Sequence, residues 1–269
     1  MKKKFSLVLA LLLVSVFAFT GCGGQAGEET PAAEGPTDEA VEVSISAAAS
    51  LTDALTEIQA EYAKESNAIL QFNFAASGAL QKQIAEGAPC DLFLSASKGH
   101  MDALEEAGLI VRDSRKDLLG NTLTLVAASE KEGVISGYGS LISADVTSIS
   151  IGTPESVPAG KYAQQALQNL GVWDRVQDKV VFAKDVRQVL EYVDTGNVDC
   201  GLVYKTDALV LETGIIVADL PGDSHDPIVY PAALIKDSPQ AEAAAKFFDF
   251  LQTDYAKGVF EKYGFTVIS

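Results

Sequence analysis

Apolar residues recur along this chain with two alternating periods. Short β-prone runs fall at residues 41–47, 69–75, 91–95, 122–127, 148–152, 180–183 and 200–204. Between them the apolar positions step by three and four: Leu51, Leu55, Ile58 and Tyr62; Leu80 and Ile84; Tyr162, Ala166 and Leu170; Val186, Val189, Leu190 and Val193. That step places side chains on one face of a helix, so the pattern predicts strands alternating with helices in an α/β architecture. Residues 238–263 are predicted to be helical again, with Ala243, Phe247, Phe250, Leu251 and Phe260 as the apolar positions, returning to pack on the first part of the fold. Two short stretches echo each other. From Gly87 and again from Gly196, a glycine that stops a helix is followed by an aspartate, Asp91 or Asp199, and then by a buried strand. The echo suggests two similar lobes.

The first residues read as an address. Lys2, Lys3 and Lys4 precede an apolar run at 5–19, followed by Thr20, Gly21 and Cys22. A basic start, a short apolar stretch and small residues at its end make an export leader, too short for a membrane span of about 20 apolar residues. The expected boundaries are a lipoprotein signal peptide at 1–21 and an acylated Cys22 with a flexible acidic linker at 22–40. That linker holds Gly, Pro, Ala and five acids without a base or a large apolar group, so it buries too little surface to order itself.

The charge balance narrows the function. With 20 Lys and Arg against 37 Asp and Glu, the formal charge is −17, and without the three leader lysines and five linker acids residues 41–269 still carry −15. Nucleic-acid phosphates are gripped by clustered Lys and Arg, so no nucleic-acid partner is expected. Only two histidines, His100 and His225, are present, with neither HExxH nor CxxC spacing, which leaves a zinc centre without ligands. Cys90 and Cys200 read as small buried hydrophobes.

Candidate chemistry gathers where strands turn into helices, the positions at which open α/β sheets place ligands. Ser50 ends the run of Ala47, Ala48 and Ala49 and reads as an N-cap; Ser77 follows Ala75 and Ala76 and opens a helix. Pro158, Ala159 and Gly160 open a third, Asp185 and Val186 a fourth, and Tyr204 closes a strand. A helix start carries unsatisfied N–H groups and about half a positive charge, so several aimed at one point suit an oxyanion. Small neighbours admit the anion to the backbone. Lys161 and Arg187 read as solvated side chains on helix faces. Gly152 with Gly160 and Lys161 has the wrong spacing for a nucleotide phosphate loop.

The strings beginning at Ala47 (AAASLT), Phe74 (FAAS), Gly87 (GAPCDLF), Leu119 (LGN), Val157 (VPAGKY), Asp185 (DVR), Gly201 (GLVY), Asp223 (DSH) and Tyr263 (YGF) follow one another in order. Together they resemble the molybdate-binding proteins of bacterial ABC importers over residues 41–269. The resemblance implies a two-lobe, type II periplasmic-binding-protein-like fold with a hinge and an interlobe cleft. Lobe 1 would comprise 41–121 and 231–269 and lobe 2 residues 122–230, with hinges near Asn121 and near Tyr230 and Pro231. It implies that Ser50 and Ser77 donate from lobe 1 and Ala159, Val186 and Tyr204 from lobe 2, to molybdate or tungstate. Molybdenum would enter only within the oxyanion, with no direct metal ligand from the protein. The family often has further hydroxyl residues after the second serine, where this chain has Gly78 and Ala79.

The partners so implied are an importer permease with its separate ATPase subunit and, through the lipid, the outer face of the cell membrane. A monomer without a cofactor or catalysis is expected. Two alternatives stay open: a receptor for another oxyanion such as sulfate or phosphate, and an exported hydrolase using Ser50 or Ser77. The acidic body does not forbid anion capture, because charges beyond about 8 Å are largely screened at physiological salt.

Overall fold

A computed structural model describes residues 40–268 of the chain. The leader, the Cys22 lipidation site and nearly all of the linker therefore lie outside the described residues.

Eleven strands among these residues form two sheets. They are β1 (Glu42–Ala48), β2 (Ile69–Ala75), β3 (Leu92–Leu94), β4 (Lys116–Gly120), β5 (Leu123–Ala127), β6 (Ile149–Gly152), β7 (Val180–Ala183), β8 (Cys200–Tyr204), β9 (Ile215–Asp219), β10 (Val229–Leu234) and β11 (Thr266–Val267). The first sheet has the order β11-β4-β10-β3-β1-β2 and the second β7-β6-β8-β5-β9. In each sheet a parallel trio, β3-β1-β2 or β8-β6-β7, is flanked by an antiparallel strand, β10 or β5. Parallel neighbours need a crossover, and helices Thr52–Tyr62 and Ser77–Ala85 supply it between β1, β2 and β3.

All seven runs expected from the sequence are strands. The central ones β5, β6 and β8 are buried along their whole length, which is why they read as unbroken apolar segments. Four strands went unread. β4 opens with Lys116 and Asp117, β11 has two residues, and β9 lies half exposed on an edge. β10 contains Pro231, which cannot donate to a ladder; the register shifts between Tyr230 and Pro231, and that irregularity accommodates it.

The echoed motif has a structural reason. Gly87 and Gly196 both take positive φ, 90° and 66°, ending their helices. Asp91 accepts the Ser44 N–H at 2.7 Å and Asp199 accepts those of Thr147 and Ser148 at 2.5 and 3.1 Å. Each carboxylate thus ties the start of one parallel strand to its neighbour, β3 to β1 and β8 to β6.

The chain passes from the first sheet to the second through Asn121 and Thr122 and returns through residues 220–228. Val229 and Tyr230 already pair with β4, so the return precedes the Tyr230–Pro231 position read from the sequence. Helices Ala241–Phe250 and Asp254–Lys262 then pack back beside the first sheet, where Tyr62 meets the rings of Phe247 and Phe250 at 5.1 and 5.0 Å. Ala244 and Phe248 join that buried face, whereas Ala243 is only half-buried. Helix Lys98–Glu106, not read from the sequence, buries Met101 and Leu104 against Leu80, Ile84 and Phe93. Cys90 and Cys200 are buried free thiols, and burial pushes the latter up to about 12, so both stay protonated.

Candidate functional site

Residues 48–50, 75–77 and 96, at the ends of β1, β2 and β3, face residues 157–159, Val186 and Tyr204 across a narrow cavity. Every candidate residue, Ser50, Ser77, Ala159, Val186 and Tyr204, lines this one space. The strands supply it from their carboxyl ends, where the following helices begin. Helices Ser77–Ala85, Pro158–Asn169 and Val186–Asp194 all start at its wall, the second with proline in its first turn. Their first N–H groups have no intrahelical acceptors, and with the axial dipoles they favour an anion at such a wall, which holds no charged lining residue.

Ser50 is not the simple cap that its position suggested, whereas Ser77 opens its helix as expected. The chain enters its first helix through a 3-10 turn, Ala49–Leu51, capped at Ala48, so Ser50 falls inside the turn. Its Oγ lies 2.8 Å from the hydroxyl of Tyr230. Ser77 is the first residue of its helix, and its Oγ accepts the Ala96 N–H at 2.9 Å. Both hydroxyls are buried, and the Ser77 O–H remains able to donate.

Tyr204 is 1% exposed, and its hydroxyl has no hydrogen-bond partner among the described residues. A buried hydroxyl without a partner is costly, by roughly 1–3 kcal/mol, and marks a place where an acceptor is missing. Burial, then the neighbouring Tyr230, Tyr162 and Asp207, push its ionisation well above the ordinary tyrosine range. The group is a neutral donor at any physiological pH.

Glycines set how closely the walls approach. A Cβ on Gly160 would lie 1.8 Å from the Gly152 carbonyl oxygen, so helix Pro158–Asn169 can sit on the end of β6 only with glycine there. This contact, rather than a phosphate loop, accounts for the pair of glycines around residues 152–160.

Residues 43–266 match the family of bacterial extracellular solute-binding proteins. The chain belongs to that family. This solute-binding protein is 44% identical over 267 residues to the candidate ABC transporter substrate-binding lipoprotein YvgL of Bacillus subtilis, with 99% of each chain covered. It is 42% identical over 229 residues to the molybdate-binding protein ModA of Haemophilus influenzae, covering 83% of this chain and 89% of that one. Among solved structures, the substrate-binding domain of a candidate molybdenum ABC transporter from Clostridium difficile superposes with a TM-score of 0.67 at 43% identity, over 86% of this chain and all of that one. The fold is thus that of a two-lobe, type II periplasmic binding protein.

Arg187 of the solute-binding protein departs from its reading as a solvated helix residue. Its Nε lies 2.6 Å from Asp207 Oδ1, and its Nη2 pairs with Asp53 on helix Thr52–Tyr62. Asp207 is fully buried; burial raises its pKa to about 6, although the Arg187 charge pulls the other way. One guanidinium thus joins a helix beside the first sheet to a carboxylate beside the second. Lys161 is exposed, as expected. Two contributors escaped the sequence reading. Tyr230 is hidden by its neighbouring proline, and Asp207 sits in the four-residue helix Lys205–Ala208 after Tyr204. Their only signal was a polar group in an otherwise apolar run.

Proposed function

We propose that the chain is the molybdate receptor of an ABC importer, with tungstate as a second ligand of the same shape and charge. The observation that carries this reading is the cavity: Ser50, Ser77, Ala159, Val186 and Tyr204, from both sheets, line it together without a charged neighbour in the lining, and the Tyr204 hydroxyl has no partner among the described residues. In this reading Ser50 and Ser77 donate from lobe 1, and the N–H groups of Ala159 and Val186 and the Tyr204 hydroxyl donate from lobe 2. Lobe 1 comprises residues 41–121 and 229–269 and lobe 2 residues 122–228, moving about the two crossings. Hydrogen bonds to a charged acceptor contribute about 1.5–3 kcal/mol each, enough for a handful to hold a dianion against its hydration. The molybdate-binding relative from Haemophilus influenzae supports the choice of ligand.

The rest of the reading concerns delivery. Cys22 carries the lipid that keeps the receptor at the outer face of the membrane, where it meets a permease whose ATPase is a separate subunit. The receptor works as a monomer, without catalysis. The bonds already made by the two serine hydroxyls, to Tyr230 and Ala96, support binding over hydrolysis, since neither partner is a general base.

A second reading, sulfate or phosphate, differs in one respect. Singly protonated phosphate needs an acceptor, and Asp185, next in sequence to the lining residue Val186, turns its Oδ1 to the Gln188 N–H at 2.8 Å. This favours a fully deprotonated anion. Competition calorimetry with molybdate, tungstate, sulfate and phosphate separates the readings: molybdate and tungstate should displace the others. Tighter binding of sulfate or phosphate would overturn the assignment.

A further inference from the structure

Gly78, the second residue of helix Ser77–Ala85, donates its N–H to the Ser156 carbonyl at 2.9 Å. The two residues belong to opposite sides of the cavity. Each is next in sequence to a lining residue, Ser77 or Val157, so the bond crosses the rim. A Cβ built on Gly78 would lie 2.6 Å from the Ser156 oxygen, 2.8 Å from its Cα and 2.9 Å from His100 Cε1. The first two are backbone atoms and cannot swing aside. Gly78 is not among the glycines with positive φ, so its own conformation does not call for glycine. In the first turn of a helix glycine is also a poorer choice than alanine. The missing side chain answers to the opposite wall.

We propose that Gly78 is the positioning residue that lets the cleft close over its anion in this chain. Its N–H is engaged by Ser156, so from this helix the anion takes its donors from Ser77. Enclosure comes from backbone meeting backbone, at a place where a hydroxyl side chain would prop the walls apart. This inference rests on the oxyanion-receptor reading.

The test uses the mature chain, Gly78→Ala and Gly78→Ser, with Gly99→Ala as control. Gly99 is also helical, but its added Cβ meets nothing closer than 3.7 Å. Sodium molybdate is titrated calorimetrically, and small-angle scattering follows compaction. The expected result is at least a tenfold loss of affinity in both Gly78 variants, with faster dissociation and reduced compaction, while Gly99→Ala binds like wild type. Thermal unfolding of the free Gly78 variants should match or exceed wild type. Affinity of Gly78→Ala within twofold of wild type overturns the inference alone, as does a free Gly78→Ala less stable than Gly99→Ala, which would make the contact merely structural. A wild-type chain that binds no molybdate overturns the oxyanion reading and this inference with it.

Discussion

The Tyr230 hydroxyl lies 2.8 Å from Ser50 Oγ, although 180 residues separate the two. Asn121, at the crossing between the sheets, donates its Nδ2 hydrogens to the same hydroxyl at 3.1 Å and to Thr206 Oγ1 at 3.0 Å. A hydroxyl that accepts from Asn121 is polarised to donate onward to Ser50, which leaves the serine hydrogen free for the cavity. The sheet crossing and the binding wall thus share one hydrogen-bond chain. Removing the tyrosine hydroxyl in Tyr230→Phe should weaken molybdate binding about tenfold, or about 1.4 kcal/mol. Titration calorimetry measures this, and unchanged affinity would show that Ser50 needs no such partner.

Arg187 joins Asp53 to the buried Asp207, and its loss strands a carboxylate. Breaking a buried pair from one side typically costs about 3–5 kcal/mol. Arg187→Met should destabilise the protein on that scale at pH 8 and much less at pH 5. The sign follows from the raised pKa: Asp207 titrates near 6 in the fold against an ordinary 3.8, so folding favours its protonated form and stability is lost as pH rises through that range. Losing the arginine charge raises that pKa further. Thermal unfolding at the two pH values checks this, and the double variant with Asp207→Asn should recover most of the loss.

Asp199 sits in the opposite regime. Burial alone would raise its pKa, but hydrogen bonds from Thr147 and Ser148 and the Lys131 ammonium hold it below the usual range. Its contribution is present above its unfolded value of 3.8 and fades as pH falls through the lower folded value. Asp199→Ala should cost about 1–3 kcal/mol at pH 7 by leaving those donors unpaired. Denaturant unfolding should show the gap to wild type narrowing in acid.

Much of the architecture was legible because the central strands are buried on both faces, so residues 123–127, 149–152 and 200–204 stand out without reference to anything distant. A helix with a full apolar stripe declared itself equally well, as Val186, Val189, Leu190 and Val193 all turn inward, whereas Lys98–Glu106, which buries only Met101 and Leu104, did not. The cavity residues were legible for another reason: each stands at a strand-to-helix junction, and the fold brings such junctions together. Partners brought from afar were not legible. No local rule connects Arg187 with Asp53, 134 residues earlier, or Ser50 with Tyr230. Ser50 was misread as a cap because a 3-10 turn moves the cap position to Ala48. β10 was hidden because Pro231 argues against a central strand unless a register shift absorbs it.

The central claim is that neutral donors from both sheets hold molybdate in one cavity. X-ray diffraction from crystals grown with molybdate, recorded at an energy where molybdenum scatters anomalously, locates the metal directly. The account predicts a single strong peak enclosed by Ser50, Ser77, Ala159, Val186 and Tyr204, with the Tyr204 hydroxyl within hydrogen-bond distance of the anion. A peak elsewhere on the chain, or none in the cavity at saturating molybdate, would contradict it.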